Sequence, residues 1–334
     1  MDLGLKQKVA IITGGSRGIG KGIALALAQE GCHLAICARN AEALQQAAEE
    51  MRAHRVKVLP LALDVTQPDQ AEQLVEQTAG QFGRIDILIN NVGGNRRGEF
   101  ETTTDQDWQE IIELNLMAHT RLSRAVIPHM RKQGGGAIIF ISSIFGRESG
   151  GRGLAIYNTT KSAMISLAKI MAVELAPHKI RVNSVAPGSI RFPGGSWDKR
   201  CLQDPEGIAE FVKREMPLGR FGTVEEVANV VAFLASERAS LVTGACVNVD
   251  GGQSRSLIWR AITFVDLSHK NNSLFATIAR VATHLHVFLR NSSNSLLISL
   301  ILRRCSWRRR QASPCNWPNR FLSSLRRGAR KSSR

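Results

Sequence analysis

Tyrosine is nearly missing from this chain: Tyr157 is the single phenol among 334 residues, so any chemistry that needs a phenolic acid has one candidate. Cysteine is sparse and unpatterned. Cys32, Cys37, Cys201, Cys246, Cys305 and Cys315 form no CxxC pair and no regular framework, which argues against disulfides and for an intracellular protein. The histidines lack HxxxH and HExxH spacing, so no metal is expected, and His33, His54, His119, His129 and His178 read as surface or helix residues. The start, MDLGLKQK, lacks the basic residues and long apolar core of a secretory signal, and the expected location is the cytoplasm. Acidic residues almost vanish after Arg255. Residues 256–334 hold fifteen Lys and Arg against one acid, Asp266, a net +14 that leaves +2 of the chain's +16 for residues 1–255. The basicity therefore belongs to the tail and is no sign that the rest of the chain binds nucleic acid.

What is present is organised around that one tyrosine. Tyr157 stands four residues before Lys161 and fourteen after Ser143. The stretch 156–175 has helical character, and on a helix positions i and i+4 share a face, so the Lys161 ammonium is expected beside the Tyr157 phenol. A neighbouring cation favours phenolate and lowers a pKa that starts near ~10. A phenol tuned in this way can pass a proton to a developing alkoxide near neutral pH.

A second constellation lies near the N-terminus. KVAIITGG is a short apolar, β-branched run of the kind found in buried parallel strands, and it leads through Ser16-Arg17-Gly18-Ile19-Gly20 into the helical pattern KGIALALAQEG. Gly14, Gly18 and Gly20 suit a tight turn, close approach of backbone to a pyrophosphate, and close helix–sheet contact. Free N–H groups at the helix start would face the anion. Further strand-like runs at 33–38, 56–61, 86–90, 136–142, 179–185 and 245–249 are mostly separated by helix-period segments. This alternation predicts an α/β fold: a doubly wound Rossmann arrangement with a mostly parallel seven-stranded sheet and helices on both faces. No linker interrupts the pattern before Gly252, so residues 1–255 are expected to form one catalytic domain and residues 256–334 a poorly ordered extension.

Thr13-Gly14 with Gly18 and Gly20, Asn90-Asn91-Val92-Gly93, Asn115, Ser143, and Tyr157 with Lys161 together resemble the short-chain dehydrogenase/reductase family over residues 6–253. The resemblance implies hydride transfer between a nicotinamide and a carbonyl or alcohol carbon. It implies that Ser143 polarises the carbonyl, Tyr157 is the general acid/base, Lys161 lowers the Tyr157 pKa and holds the nicotinamide ribose, and Asn115 maintains a water path to that lysine. By the same resemblance Gly14, Ser16, Arg17, Gly18, Ile19 and Gly20 would line the dinucleotide turn, with Asp64 and Val65 at the adenine and Asn91 and Gly93 beside its ribose. Pro187, Gly188 and Ile190, together with Tyr157 and Lys161, would complete the cofactor contacts.

The second strand ends Cys37-Ala38-Arg39-Asn40 with no carboxylate, and Arg17 adds another cation, a pattern suited to a 2′-phosphate, so NADPH is expected and NADH is the alternative. The overall look, including MPLGRFGTVEEVANVVAFLAS and VTGACVNVDGG, is similar to 3-oxoacyl-(acyl-carrier-protein) reductases of fatty acid biosynthesis. Sugar, alcohol and small-ketone oxidoreductases share the scaffold. Substrate choice is expected from a mobile loop between Gly188 and Arg220. Phe192 stands where many members use a threonine on the nicotinamide carboxamide, leaving Ser189 or a backbone group as the replacement. An acyl-carrier-protein partner would want a basic surface at the active-site mouth from Arg131, Lys132 and Lys169, whereas Val173 stands where such reductases carry arginine. The resemblance also implies a homotetramer or dimer built on helices near 105–131 and 156–177. For the tail, contact with nucleic acid or an anionic membrane competes with an extension that has no selected role, and the abrupt change of character favours the last.

Overall fold

A computed structural model describes residues 2–256. Apart from Ser256, the expected tail lies outside the described residues. Seven strands appear: β1 (Val9–Thr13), β2 (His33–Ala38), β3 (Val58–Ala62), β4 (Ile87–Asn90), β5 (Gly136–Ile141), β6 (Ile180–Pro187) and β7 (Cys246–Val249). They form one sheet in the order β3-β2-β1-β4-β5-β6-β7, and every pairing is parallel. The chain winds outward from β1 to β3, crosses back to place β4 on the other side of β1, and then winds away. A reversal of this kind opens a crevice at the carboxyl ends of β1 and β4.

Alternation along the strands divides the core into two layers. Ala10, Ile12, Leu34, Ile36, Ile87 and Ile89 face helices α1 (Gly18–Gln29) and α2 (Ala41–Arg52), with later-arriving α9 (Val224–Ala235) on the same side. Ile11, Ala35, Leu88, Ile138, Phe140 and Val182 face α3 (Pro68–Phe82), α5 (Ala118–Lys132) and α6 (Ala155–Leu175). Local chemistry sets the helix ends. Asn40 caps α2 through the Ala43 N–H, and Thr223 with Glu226 forms a reciprocal capping box on α9. Helix α3 starts with Pro68 at its first turn and stops at Gly83 in the left-handed region.

Two places depart from the sequence reading. The helix expected near 105–131 forms as α4 (Asp105–Ile112) and α5, joined by a π-helical turn at Glu113–Met117 that contains Asn115. The segment expected as a mobile loop after Gly188 instead carries α7 (Ser196–Gln203) and α8 (Pro205–Glu215). Trp197 on α7 stacks on Phe211 of α8 with ring centroids 4.8 Å apart and leans on Phe221 at 5.2 Å, so aromatic packing holds these two short helices together. Asp198 fixes the turn before α7 by accepting from Arg191 Nε and the Gly194 N–H, both at 3.0 Å.

Candidate active site

The crevice is built first by backbone. Thr13 at the end of β1 accepts the Asn91 and Val92 N–H groups on its hydroxyl, at 2.9 and 3.0 Å, and Asn91 Nδ2 returns a bond to the Thr13 carbonyl at 2.8 Å. These bonds fasten the two strands at the point of reversal. Gly14 and Gly18 take positive φ, and Gly20 has no room for a side chain because a Cβ there would stand 2.2 Å from the Gly14 carbonyl oxygen. Arg17 precedes α1 in extended conformation with no side-chain cap, and the first turn holds no acid, so the N–H groups at Gly18–Gly20 open onto the crevice. Ser16 and Ile19 flank this turn, half-buried. The cradle therefore fits a dinucleotide pyrophosphate.

Arg39, just past β2, is exposed, as is Arg17, and neither side chain has an acidic partner among the described residues. Asp64 binds Thr66 through its backbone N–H and hydroxyl, while Val65 packs its side chain into the core and has only backbone to offer a ligand. On the other wall, Gly188 lies so close to Asp250 and Gln253 that a Cβ would meet the Gln253 Oε1 at 2.7 Å. Pro187 ends β6, and Ile190 turns into the core. Ser189 is braced by Gln253: its hydroxyl accepts from Gln253 Nε2 at 3.0 Å and keeps its own proton to donate, while its N–H donates to Gln253 Oε1 at 2.8 Å. Phe192 instead lays its ring on Gly18, where a Cβ would stand 2.6 Å from Cζ.

Ser143 follows β5, while Tyr157 and Lys161 lie on the first two turns of α6. The three converge as the spacing predicts. The Ser143 hydroxyl lies close enough to the phenol to lower its pKa, and Lys161 Nζ sits 5.8 Å from the Tyr157 ring centroid. The electrostatics differ from the sequence expectation. Burial raises the Tyr157 pKa above the ordinary phenol value and outweighs the nearby Ser143 hydroxyl, which pulls it back. Lys161 is itself buried, its pKa brought down to about 8 by loss of water, and its ammonium donates to the Ile141 carbonyl at 2.8 Å. Gly93 lies against it: a Cβ there would be 3.3 Å from both Lys161 Nζ and Asn115 Oδ1.

The π turn points the Asn115 side chain at two segments. Its Oδ1 accepts the Gly94 N–H at 2.8 Å, while its Nδ2 donates to the Gly94 carbonyl and to Thr160 Oγ1, both at 3.0 Å. The side chain is thus a clamp between the β4 turn and α6, and any water path must use the Asn115 backbone. One turn on, His119 is fully buried on the same helix, not at the surface. Neither ring nitrogen has a hydrogen-bond partner, because the nearby Val92 and Asn115 carbonyls miss bonding geometry. Burial first, and then the Lys161 charge, lower its pKa to about 3. Sequence reading set His119 down as a surface or helix residue; the signal for its burial was its place four residues after Asn115, on the face turned to the sheet.

His119 carries a pH-dependent prediction. Its pKa is depressed on folding, so its contribution is fully present above the unfolded value near 6.5 and is lost as pH falls toward 3. By pH 4 the loss amounts to about 3 kcal/mol. Urea unfolding at pH 7 and pH 4 should show a smaller acid loss in His119→Leu than in the parent chain; equal losses would exclude this origin.

The basic surface expected near the mouth is not assembled there. Helix α5 ends at Lys132 and the chain enters β5 at Gly136, which puts Arg131 and Lys132 at the amino ends of the strands, opposite the crevice. Lys169 lies four turns into α6, in contact with Gly244.

Comparison with known proteins agrees with this geometry. The family described as enoyl-(acyl carrier protein) reductase matches residues 14–254. The 3-oxoacyl-[acyl-carrier-protein] reductase FabG of Thermotoga maritima is 39% identical over 248 residues, 74% of this chain and 98% of that protein. The chain belongs to the short-chain dehydrogenase/reductase family. Among solved structures of the family, L-sorbose reductase from Gluconobacter frateurii, complexed with NADPH and L-sorbose, superposes with TM-score 0.74 at 38% identity, over 77% of this chain and all of that one. A 7α-hydroxysteroid dehydrogenase complexed with NADH and 7-oxo glycochenodeoxycholic acid gives TM-score 0.71 at 32% identity, over 77% of this chain and 98% of that one. As a short-chain dehydrogenase/reductase, the protein is an NAD(P)-dependent oxidoreductase of CH–OH and C=O groups. Among the described residues, no helix is long and apolar enough to cross a membrane.

Proposed function

We propose that this enzyme reduces a carbonyl to an alcohol with NADPH, and that a 3-oxoacyl thioester is its leading substrate. The observation that carries the reading is the meeting of Ser143, Tyr157 and Lys161 beside an uncapped glycine turn at the strand reversal. The cofactor, when bound, supplies the hydride. Ser143 polarises the substrate carbonyl through its hydroxyl. Tyr157, kept protonated at neutral pH by its burial, gives its proton to the oxygen as negative charge develops there. Lys161 stabilises the phenolate that remains, and its pKa of about 8 leaves it mostly charged at pH 7. Asn115 holds the β4 turn against α6 so that Gly93 and Lys161 keep their spacing.

The preference for NADPH rests on Arg17 and Arg39, two exposed guanidiniums with no carboxylate at the end of β2 to receive a ribose 2′-hydroxyl. NADPH is expected to exceed NADH in kcat/KM by roughly 100-fold, and Arg39→Ala to cut that ratio roughly 10-fold, about the worth of one charged hydrogen bond. Equal use of both cofactors by the parent chain would remove this part of the reading. The thioester is supported by FabG proteins at 37–39% identity. A sugar, alcohol or small ketone is the second reading, favoured by the L-sorbose reductase structure and by the distance of Arg131 and Lys132 from the crevice. Turnover of acetoacetyl-acyl-carrier protein, L-sorbose and a small cyclic ketone in parallel separates the two. A homotetramer or dimer accompanies this proposal, supported by Ile170 and Val173, which stand 54% and 67% exposed on α6.

A further inference from the structure

After β7 the chain runs into a short strap, Gln253–Ser256, that fastens separate parts of the crevice to one another. Gln253 braces Ser189, just past β6, through two hydrogen bonds. The Ser254 hydroxyl and the Arg255 and Ser256 N–H groups converge on a single oxygen, Glu148 Oε2, at 3.2, 3.0 and 3.0 Å. The Arg255 guanidinium turns to another partner, Glu215 at the end of α8, at 3.0 Å. The root of the strap is also held, because the Asp250 carboxylate accepts the Gly252 and Ser254 N–H groups at 3.0 and 2.9 Å.

Glu148 lies between Ser143 and Tyr157 in the chain and bonds to a neighbour of each. Its N–H donates to the carbonyl of Ile144, next to Ser143, at 3.1 Å. Its own carbonyl accepts Nδ2 of Asn158, next to Tyr157, at 3.0 Å. The Ser143 hydroxyl accepts the Phe145 N–H at 3.2 Å within the same turn, which leaves its proton free to donate. The backbone of Glu148 thus joins the Ser143 turn to the first turn of α6, while its carboxylate is gripped by the strap. Hydrogen bonds to a carboxylate are roughly twice as strong as neutral ones, and three donors meeting one oxygen leave this side chain little freedom. Its neighbour Arg147 adds a second tie, donating to the Cys246 carbonyl and Asn248 Oδ1 of β7 at 3.1 and 3.0 Å.

We propose that Glu148 is a positioning residue for the reaction: held by the Ser254–Ser256 strap, it fixes the Ser143 turn against α6 and so keeps the serine hydroxyl beside the Tyr157 phenol. The inference rests on reading Ser143 and Tyr157 as the polarising and proton-donating pair of a carbonyl reductase, and it adds a residue that acts through them.

The single tyrosine supplies a readout that needs no substrate. Ser143 pulls the Tyr157 pKa down, so a turn that lets Ser143 drift should raise the midpoint of the ultraviolet titration. In the full chain, Glu148→Ala is expected to raise that midpoint and Ser143→Ala to raise it at least as far. The double variant Ser143→Ala/Glu148→Ala should titrate where Ser143→Ala does, since Glu148 acts through the serine. Glu148→Gln keeps an oxygen for the three donors and should recover most of the parent's behaviour. With NADPH and acetoacetyl-acyl-carrier protein, Glu148→Ala should lower kcat by roughly 10-fold and leave KM within about 2-fold. A folded Glu148→Ala protein with the parent's midpoint overturns the proposal, and so does a double variant in which the two shifts add. If Glu148→Ala does not fold, Ser254→Ala/Ser256→Pro removes two of the three donors from the other side of the contact. The same rise there supports the strap, and an unmoved midpoint overturns it. Should the parent reduce no acetoacetyl-acyl-carrier protein, the thioester reading fails while the titration still decides the role of Glu148.

Discussion

Replacement of Tyr157 by phenylalanine is expected to lower kcat by roughly 10²–10⁴-fold, the usual range for loss of a positioned proton donor, while NADPH remains bound. The change removes one oxygen and keeps the ring that Lys161 faces. No other phenol can substitute, because the chain has none. The same scarcity makes the test unusually clean: ultraviolet titration of the parent chain reports one tyrosine, and its ionisation should fall above the ordinary phenol pKa in the cofactor-free protein. Turnover in Tyr157→Phe comparable to the parent would remove Tyr157 from the chemistry.

Gly20→Ala should be nearly as damaging for a different reason. The added carbon would stand 2.2 Å from the Gly14 carbonyl oxygen and 2.5 Å from Asn91 Nδ2. Gly14 cannot retreat easily, because its N–H and that of Gly15 both donate to the Cys37 carbonyl, at 2.9 and 3.1 Å. Relief must then come from the Thr13–Asn91 fastening or from the start of α1, the parts that shape the cradle. The overpacking should cost about 2–3 kcal/mol of stability, and the displaced turn should lower kcat/KM for NADPH by roughly 100-fold. Gly80→Ala is the control. Gly80 lies within α3 with no atom within 4 Å of an added Cβ, so the same substitution there should stabilise the helix by about 1 kcal/mol. Urea unfolding and NADPH kinetics of both variants check the pair; a harmless Gly20→Ala would mean that the turn has slack the packing denies.

Where local residue pattern decides structure, this chain was legible. The apolar runs of the strands, the glycine turn and the i, i+4 placement of Tyr157 and Lys161 each follow from a few neighbouring residues, and the sheet and α6 form where they point. Features decided by what packs against a segment were hidden. The segment between Gly188 and Arg220 read as a mobile loop, yet Trp197, Phe211 and Phe221 meet only after α7 and α8 have formed. Asn115 was expected on a water path to Lys161; its side-chain clamp depends on a π turn and on the arrival of Gly94 and Thr160 from elsewhere. The brace on Ser189 comes from Gln253, sixty-four residues on, which no local pattern could announce. The expected effect of Lys161 on the Tyr157 pKa assumed an ammonium in water beside a phenol. Both groups are withdrawn from solvent, and desolvation dominates each of them.

The most direct test of the account follows the hydride. NADPH carrying deuterium at its transferable position would be mixed with the full chain and, in separate reactions, acetoacetyl-acyl-carrier protein, L-sorbose and a small cyclic ketone, with the products read by mass spectrometry. Loss of NADPH absorbance matched by one deuterium on the new carbinol carbon, and absent in Tyr157→Phe, is the predicted result. A folded chain that binds NADPH yet labels none of the three products would contradict the assignment of this crevice to carbonyl reduction.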